Sequence, residues 1–269
     1  MTRTIQTPSA TQKRSVELTL RAVASERTCT RRSGAESPKR STSQRTLPPL
    51  HKRLRNDEHD VVVASVFPYF SVLSTKLASL RTDTPLVTTW HEVWGDYWEE
   101  YLGRLAPFGK LTERVTARTP QHPTAISAIT ADRIAAIGPD REDIEIVPNG
   151  IDVEQVRTAP LPGDDGDGGC DVLFAGRLIE HKNVDMLMEA FDAVAAEHDA
   201  TLGVIGDGPE RDRLEAKRDA LTHSDRVELL GFLDDYEDVL GHMRAADVFA
   251  SPSTREGFGI TFLEAMAAD

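Results

Sequence analysis

Two cations, Arg177 and Lys182, flank a strand-to-helix turn in a chain whose body is otherwise acidic. Fixed positive charges aimed at one strand end suit a diphosphate, because charge-assisted hydrogen bonds to phosphate oxygens are short and strong. Taken alone, the pair reads as readily as surface charge. The run Arg255, Glu256, Gly257, Phe258, Gly259 stands just before a helix. There, glycines let a ligand approach the backbone, and the free N–H groups of a first helical turn favour phosphate. By itself the run is equally an ordinary glycine-rich loop. Glu264 lies about two turns further along that helix, where a carboxylate can meet a ribose hydroxyl pair. His91 closes Thr88, Thr89, Trp90 and is placed to hydrogen-bond a sugar, although a lone histidine is as readily structural. Trp90, Trp94, Trp98 and Tyr101 recur at helical spacing and include all three tryptophans. Core packing is one reading of that cluster, and a stacking platform for a sugar or for a lipid at a membrane surface is the other.

These residues need a scaffold that gathers strand ends. From Asp60 the chain alternates between apolar runs of strand length and segments with helical periodicity. Val61 to Val66 and Leu86 to Trp90 read as strands, with a helix through Leu73, Leu77 and Leu80 between them. Thr124 to Ile129 and Asp143 to Val147 read as strands, with Thr130 as a helix cap. After Pro160 to Gly169, rich in turn formers and acidic residues, the rhythm resumes. Its strands are Val172 to Ala175, Thr201 to Ile205, Val227 to Leu230 and Val248 to Ala250. Its helices carry Val184 to Val194, Pro209 to Leu221, Tyr236 to Ala245 and Gly259 to Ala267. This repetition predicts an α/β protein with parallel sheets, in which ligands bind at the carboxyl ends of strands. The turn Gly206, Asp207, Gly208 starts a dinucleotide-type fingerprint, but Arg211 occupies the third glycine position, so a structural turn is favoured over an NAD-dependent oxidoreductase.

Composition narrows the class. Residues 1–55 hold 13 Lys/Arg against three Asp/Glu, a net of +10, so the remainder carries −23 of the overall −13. The first segment has no aromatic residue and is expected to be disordered. An acidic body argues against nucleic-acid binding, which needs a basic face, and fits a halophile-like surface. Cys29 and Cys170 have no partner at metal-ligand spacing, so no metal site and no disulfide framework is expected. No apolar run reaches the roughly 18 to 20 residues of a membrane span. A cytoplasmic location follows, with peripheral contact at the inner membrane face as an added expectation.

Gly176, Arg177, Leu178 with Lys182, Asn183; Gly206 to Pro209; Ser251, Pro252, Ser253 leading to Glu256, Gly257, Phe258, Gly259; and Glu264, Ala265, Met266, Ala267 together resemble glycosyltransferase family 4, of GT-B fold. Pro148, Asn149, Gly150, Ile151, Asp152 at the domain junction strengthen the match. The resemblance covers roughly residues 60–269, and its specificity lies in the order and spacing of several motifs. It implies two Rossmann-like doubly wound domains facing a cleft, both incomplete. Residues 56–158 would form the acceptor-side domain, 159–170 a linker, and 171–269 the nucleotide-sugar domain. It further implies transfer of a sugar from a nucleoside-diphosphate sugar to a glycan or lipid-linked acceptor in cell-surface glycan synthesis, with retained anomeric configuration and no cofactor or essential metal. By position, Arg177 and Lys182 would bind the diphosphate, Glu256 with the backbone of Gly257, Phe258 and Gly259 the donor sugar, and Glu264 the ribose. His91 would sit on the acceptor side. Two departures are a basic segment where the family opens with a strand and glycine-rich loop, and an end at Asp269 where the family continues. Beside transfer therefore stand an inactive shortened relative and a GT-B-like nucleotide-sugar epimerase.

Overall fold

The computed structural model describes residues 2–4, 17–19, 60–67, 69–79, 84–163 and 168–268. Within the basic segment it describes an antiparallel pair, β1 (Thr2–Thr4) with β2 (Glu17–Thr19). The expectation of disorder otherwise lies outside the described residues, as does Leu80. The chain divides into two compact units, Met1–Val147 and Pro148–Asp269.

In the first unit, β3 (Val62–Ser65), β4 (Leu86–Trp90), β5 (His122–Ala125) and β6 (Glu145–Ile146) form a parallel sheet in that spatial order. The described strands thus wind in one direction. Between them run α1 (Phe70–Ser79), α2 (Tyr97–Leu102), α3 (Ala106–Ala117) and α4 (Ala128–Ala135). Alternation sets the inner face: Leu86, Thr88 and Trp90 of β4 are buried while Val87 and Thr89 are half-buried. Helix α1 differs from the leucine periodicity, burying Val72, Thr75, Ala78 and Ser79 and leaving Leu77 exposed. The third strand also starts earlier and ends at Ala125. Ser127, in extended backbone, caps α4 by accepting from the Thr130 N–H at 3.1 Å, so Thr130 is inside the helix instead of capping it.

In the second unit, β7 (Val172–Ala175), β8 (Leu202–Ile205), β9 (Val227–Gly231) and β10 (Val248–Phe249) pair in parallel in the order β10, β7, β8, β9. The helices are α5 (Val153–Thr158), α6 (Val184–Ala195), α7 (Arg211–Asp219), α8 (Tyr236–Ala245) and α9 (Ile260–Ala267). Both sheet faces are covered, which is why the strands are nearly continuous apolar runs. Phe174, Leu202 and Val204 pack with Met188 and Phe191 of α6 and Leu214 of α7. Leu173, Ala175 and Ile205 point the other way, onto Val156 of α5 and Leu240 and Met243 of α8.

Helix α5 therefore belongs to the second unit, and the boundary falls at Pro148 instead of after residue 158. The expected linker is not a spacer in its described parts. Ala159 is buried, its carbonyl accepts from Arg244, and Cys170 packs on the same core.

The turn at Gly206 is tertiary in purpose. Its φ is +138°, and a Cβ there would stand 1.8 Å from the Gly176 carbonyl oxygen, while one on Gly208 would stand 2.2 Å from that of Leu178. The loops after β7 and β8 are packed backbone to backbone, with the Leu178 N–H donating to Asp207 O at 3.0 Å. Gly206→Ala is expected to destabilise the second unit by about 3 kcal/mol or more, from strained φ plus an unrelievable backbone clash. A lowered urea midpoint at unchanged slope measures it, and an unchanged midpoint would contradict the close approach.

Candidate active site

The strand order of the second unit reverses at β7: β8 and β9 follow on one side, and β10 lies on the other. In open α/β sheets the crevice at such a switch point receives ligands, because the loops leaving the two strands on either side of it diverge there. Those loops are Gly176 to Asn183 after β7 and Ala250 to Gly259 after β10.

Direct contacts tie them together. Lys182 Nζ lies 2.5 Å from Glu256 Oε1, with the two side chains 16% and 28% exposed. Asn183 Nδ2 donates to Pro252 O at 3.1 Å, and the Thr254 N–H donates to His181 O at 3.0 Å. Asn183 adopts left-handed backbone, φ 49°, which turns the chain from the short 3-10 segment Glu180–Lys182 into α6. That bend directs Lys182 to the β10 side. Arg177 is exposed one residue beyond Gly176 and, among the described residues, carries no recorded ion pair.

Gly259, φ +77°, starts α9 and supplies no side-chain cap; the Phe262 N–H donates to Gly259 O at 3.1 Å, and the Ile260 and Thr261 N–H groups precede the helix's own ladder. Phe262 of this helix meets Phe249 of β10 edge to face, centroids 5.6 Å apart. Glu264 is buried, 4% exposed, and accepts a hydrogen bond from the Tyr236 hydroxyl. Burial, and then the neighbouring carboxylate, push the Tyr236 phenol well above its usual range, so it remains a donor to Glu264. A cavity of about 270 Å³ opens beside this pair, lined also by Gly150, Ile151, Asp152 and Ile260. The junction motif is thus part of the same cavity, and Asp152 caps α5 by accepting from the Gln155 N–H at 3.1 Å.

Six of the expected residues, Lys182, Glu256, Gly257, Phe258, Gly259 and Glu264, lie on the two loops and on α9, and Arg177 stands at the mouth of the β7 loop. His91 is in the first unit, exposed just beyond β4. Sequence reasoning missed Tyr236, since a tyrosine opening a helix after Asp234 and Asp235 carries no distinguishing pattern. It also missed Glu113, the buried acceptor beneath the aromatic cluster. That cluster is no helical stripe: Trp90 ends a strand, Trp94 lies in a loop, and only Trp98 and Tyr101 are helical. Trp90 and Trp98 are buried, which favours core packing over a platform for those two.

A parallel sheet with a switch point, a lysine and a glutamate joined across it, and a glycine-started helix carrying a buried carboxylate define an open α/β domain with a candidate ligand site at its strand ends. The sequence description "Glycosyltransferase Family 4" matches residues 9–155, and "Glycosyl transferases group 1" matches residues 166–269. The chain belongs to glycosyltransferase family 4, within the group 1 glycosyltransferases of GT-B fold. The match to the first description begins inside the basic segment. A 2-deoxystreptamine glucosyltransferase of Streptomyces kanamyceticus is 31% identical over 172 residues, 60% of this chain and 44% of that protein. A phosphatidyl-myo-inositol mannosyltransferase of Mycolicibacterium smegmatis is 34% identical over 158 residues, 55% of this chain and 39% of that protein. The chain thus spans less than half the length of these relatives. Among solved structures, HepE of Anabaena in complex with UDP has a TM-score of 0.66 at 23% identity, covering 82% of this chain and 61% of that one. Sucrose-phosphate synthase of Thermosynechococcus elongatus has a TM-score of 0.61 at 18% identity, covering 83% and 59%.

Proposed function

We propose that the protein is a retaining glycosyltransferase that moves a sugar from a nucleoside-diphosphate sugar to a glycan or lipid-linked acceptor. The observation that carries this reading is the Lys182–Glu256 contact across the switch point, 2.5 Å long and partly shielded. It puts a cation and a carboxylate side by side where a donor's charged and hydroxylated parts would meet. HepE, which shares this fold, was crystallised with UDP and with UDP-glucose.

In this reading the C1–O bond to the diphosphate breaks, a C1–O bond to the acceptor oxygen forms, and the acceptor's proton goes to the departing diphosphate. Negative charge develops on the leaving oxygen, and Arg177 with Lys182 offsets it in a site of reduced dielectric. Lys182 exchanges its Glu256 partner for a phosphate oxygen. Glu256 then accepts hydroxyl hydrogen bonds from the donor sugar, beside the N–H groups of Gly257, Phe258 and Gly259. Glu264, oriented by Tyr236, takes the ribose hydroxyls. His91 is assigned to the acceptor side.

The test is calorimetric titration of the purified chain with UDP-, GDP- and ADP-sugars, at low and high salt, followed by product analysis with simple sugar acceptors. Micromolar binding of one donor and a new glycosidic product of unchanged anomeric configuration support the reading. Epimerised donor without acceptor would replace it with an epimerase, and a folded chain that binds no donor would leave only an inactive relative.

A further inference from the structure

Helix α3 has its side chains arranged in the opposite sense to a core-packed amphipathic helix. Its inward face is Ala106, Gly109, Glu113, Thr116 and Ala117, small or polar. A Cβ on Gly109 would stand 2.3 Å from the Trp98 ring, so the helix is pressed onto the aromatic cluster with no room for a larger residue. Its large apolar side chains, with Leu105 just before its first residue, point out. Leu105, Phe108, Leu111 and Val115 are 58%, 68%, 56% and 47% exposed. Spaced by three and four residues, they form one stripe along the outer face.

Arg104, Arg114 and Arg118 are exposed beside this stripe. Among the described residues none of the three carries an ion pair, whereas Lys110, one helical turn before Arg114 on the same flank, is held by Asp96 and Glu99 at 2.7 Å each. In a chain of net charge −13, this is a local excess of unpartnered positive charge along an apolar ridge. A helix with an apolar ridge and flanking cations fits the plane where headgroups meet acyl chains: the ridge enters the hydrocarbon boundary, and guanidinium groups pair with phosphates. A convex helix also lacks the concave surface that small-molecule sites need.

We propose that the α3 face docks the first unit on an anionic lipid surface, through Phe108 and Leu111 as the inserted residues and Arg114 and Arg118 as the headgroup contacts. This stands whether or not the transfer reading holds. It also moves the membrane contact away from the tryptophans, two of which are buried.

Flotation of the full chain with vesicles of phosphatidylcholine alone, and of an equal mixture of phosphatidylcholine and phosphatidylglycerol, tests it. The chain is expected to float with the mixed vesicles and to lose that preference as salt is raised. Phe108→Ser with Leu111→Ser should weaken binding at least about tenfold, and Arg114→Gln or Arg118→Gln each about fivefold. Met186→Ser, at a residue 57% exposed in the second unit, should leave it unchanged. All these side chains are exposed, and an unchanged thermal melt confirms that the variants fold. Absence of flotation overturns the proposal, as does equal flotation of the wild type and the double variant. So does sedimentation showing that this face instead joins two copies, with a dimer that the double variant dissociates and no vesicle binding.

Discussion

Lys182→Ala is expected to weaken binding of the nucleoside-diphosphate sugar by a factor of roughly 10 to 150, the value of one charge-assisted hydrogen bond to a diphosphate of about 1.5–3 kcal/mol. Any transfer activity should fall further, by roughly 100- to 1000-fold, because charge on the leaving oxygen grows between bound donor and transition state. The same substitution should lower stability only modestly, by about 1 kcal/mol, because the Lys182–Glu256 pair is partly shielded, 16% and 28% exposed, yet the carboxylate left behind can reach water. Calorimetric titration together with a thermal melt separates the two effects. Lys182→Arg should retain part of the affinity, since the charge remains while its reach and geometry change. Donor affinity within about twofold of wild type in Lys182→Ala would remove Lys182 from the donor site and leave its pairing with Glu256 a structural link between loops.

Glu113→Ala should be among the most destabilising single changes in the first unit, at about 3–5 kcal/mol. The carboxylate is 2% exposed and accepts from four donors: the Tyr69 hydroxyl at 2.6 Å, the Trp94 N–H at 2.7 Å, the Gly95 N–H at 3.1 Å and the Trp98 indole N–H at 3.3 Å. Removing it leaves those donors unpaired beneath the aromatic cluster and opens space where the side chain stood. Glu113→Gln is expected to recover only part of the loss, because one of its terminal atoms is an amide nitrogen facing donors. All three tryptophans, Trp90, Trp94 and Trp98, lie in this unit, so their fluorescence reports its denaturant unfolding separately from the second unit. A midpoint unchanged in Glu113→Ala would mean that the four donors find water instead.

The positions of most strands were legible because burial on both faces requires continuous apolar runs. Val172 to Ala175 is such a run and matches β7 to the residue, and Leu86 to Trp90 matches β4 although Thr88 and Thr89 interrupt its apolar residues. Errors arose where a local signal had two physical meanings. Leu73 and Leu77 satisfied a helical period, yet Val72, Thr75 and Ala78 are the residues α1 buries. Thr130 has a capping side chain, but Ser127 is the residue in extended backbone at the helix start. Pro160 to Gly169 has linker composition, but Ala159 and Cys170 on its borders pack into the second core. Composition reports what a segment can do in isolation, whereas packing depends on which surface the chain brings beside it.

For the site, sequence alone determined the chemical types and their order: cations after one strand, a glutamate and glycines before a helix, and a second glutamate within it. Those follow from local rules for strand ends and helix starts, which operate over a few residues. Tertiary structure decided which of them meet. Lys182 and Glu256 are separated by 74 positions and touch only because β10 crosses to the far side of β7, reversing the strand order. The partnership of Tyr236 with Glu264, the four-donor burial of Glu113, and the outward turn of Phe108 and Leu111 likewise depend on long-range packing. Each depends on which faces the sheet and its helices leave for one another, a constraint that no short window of sequence contains.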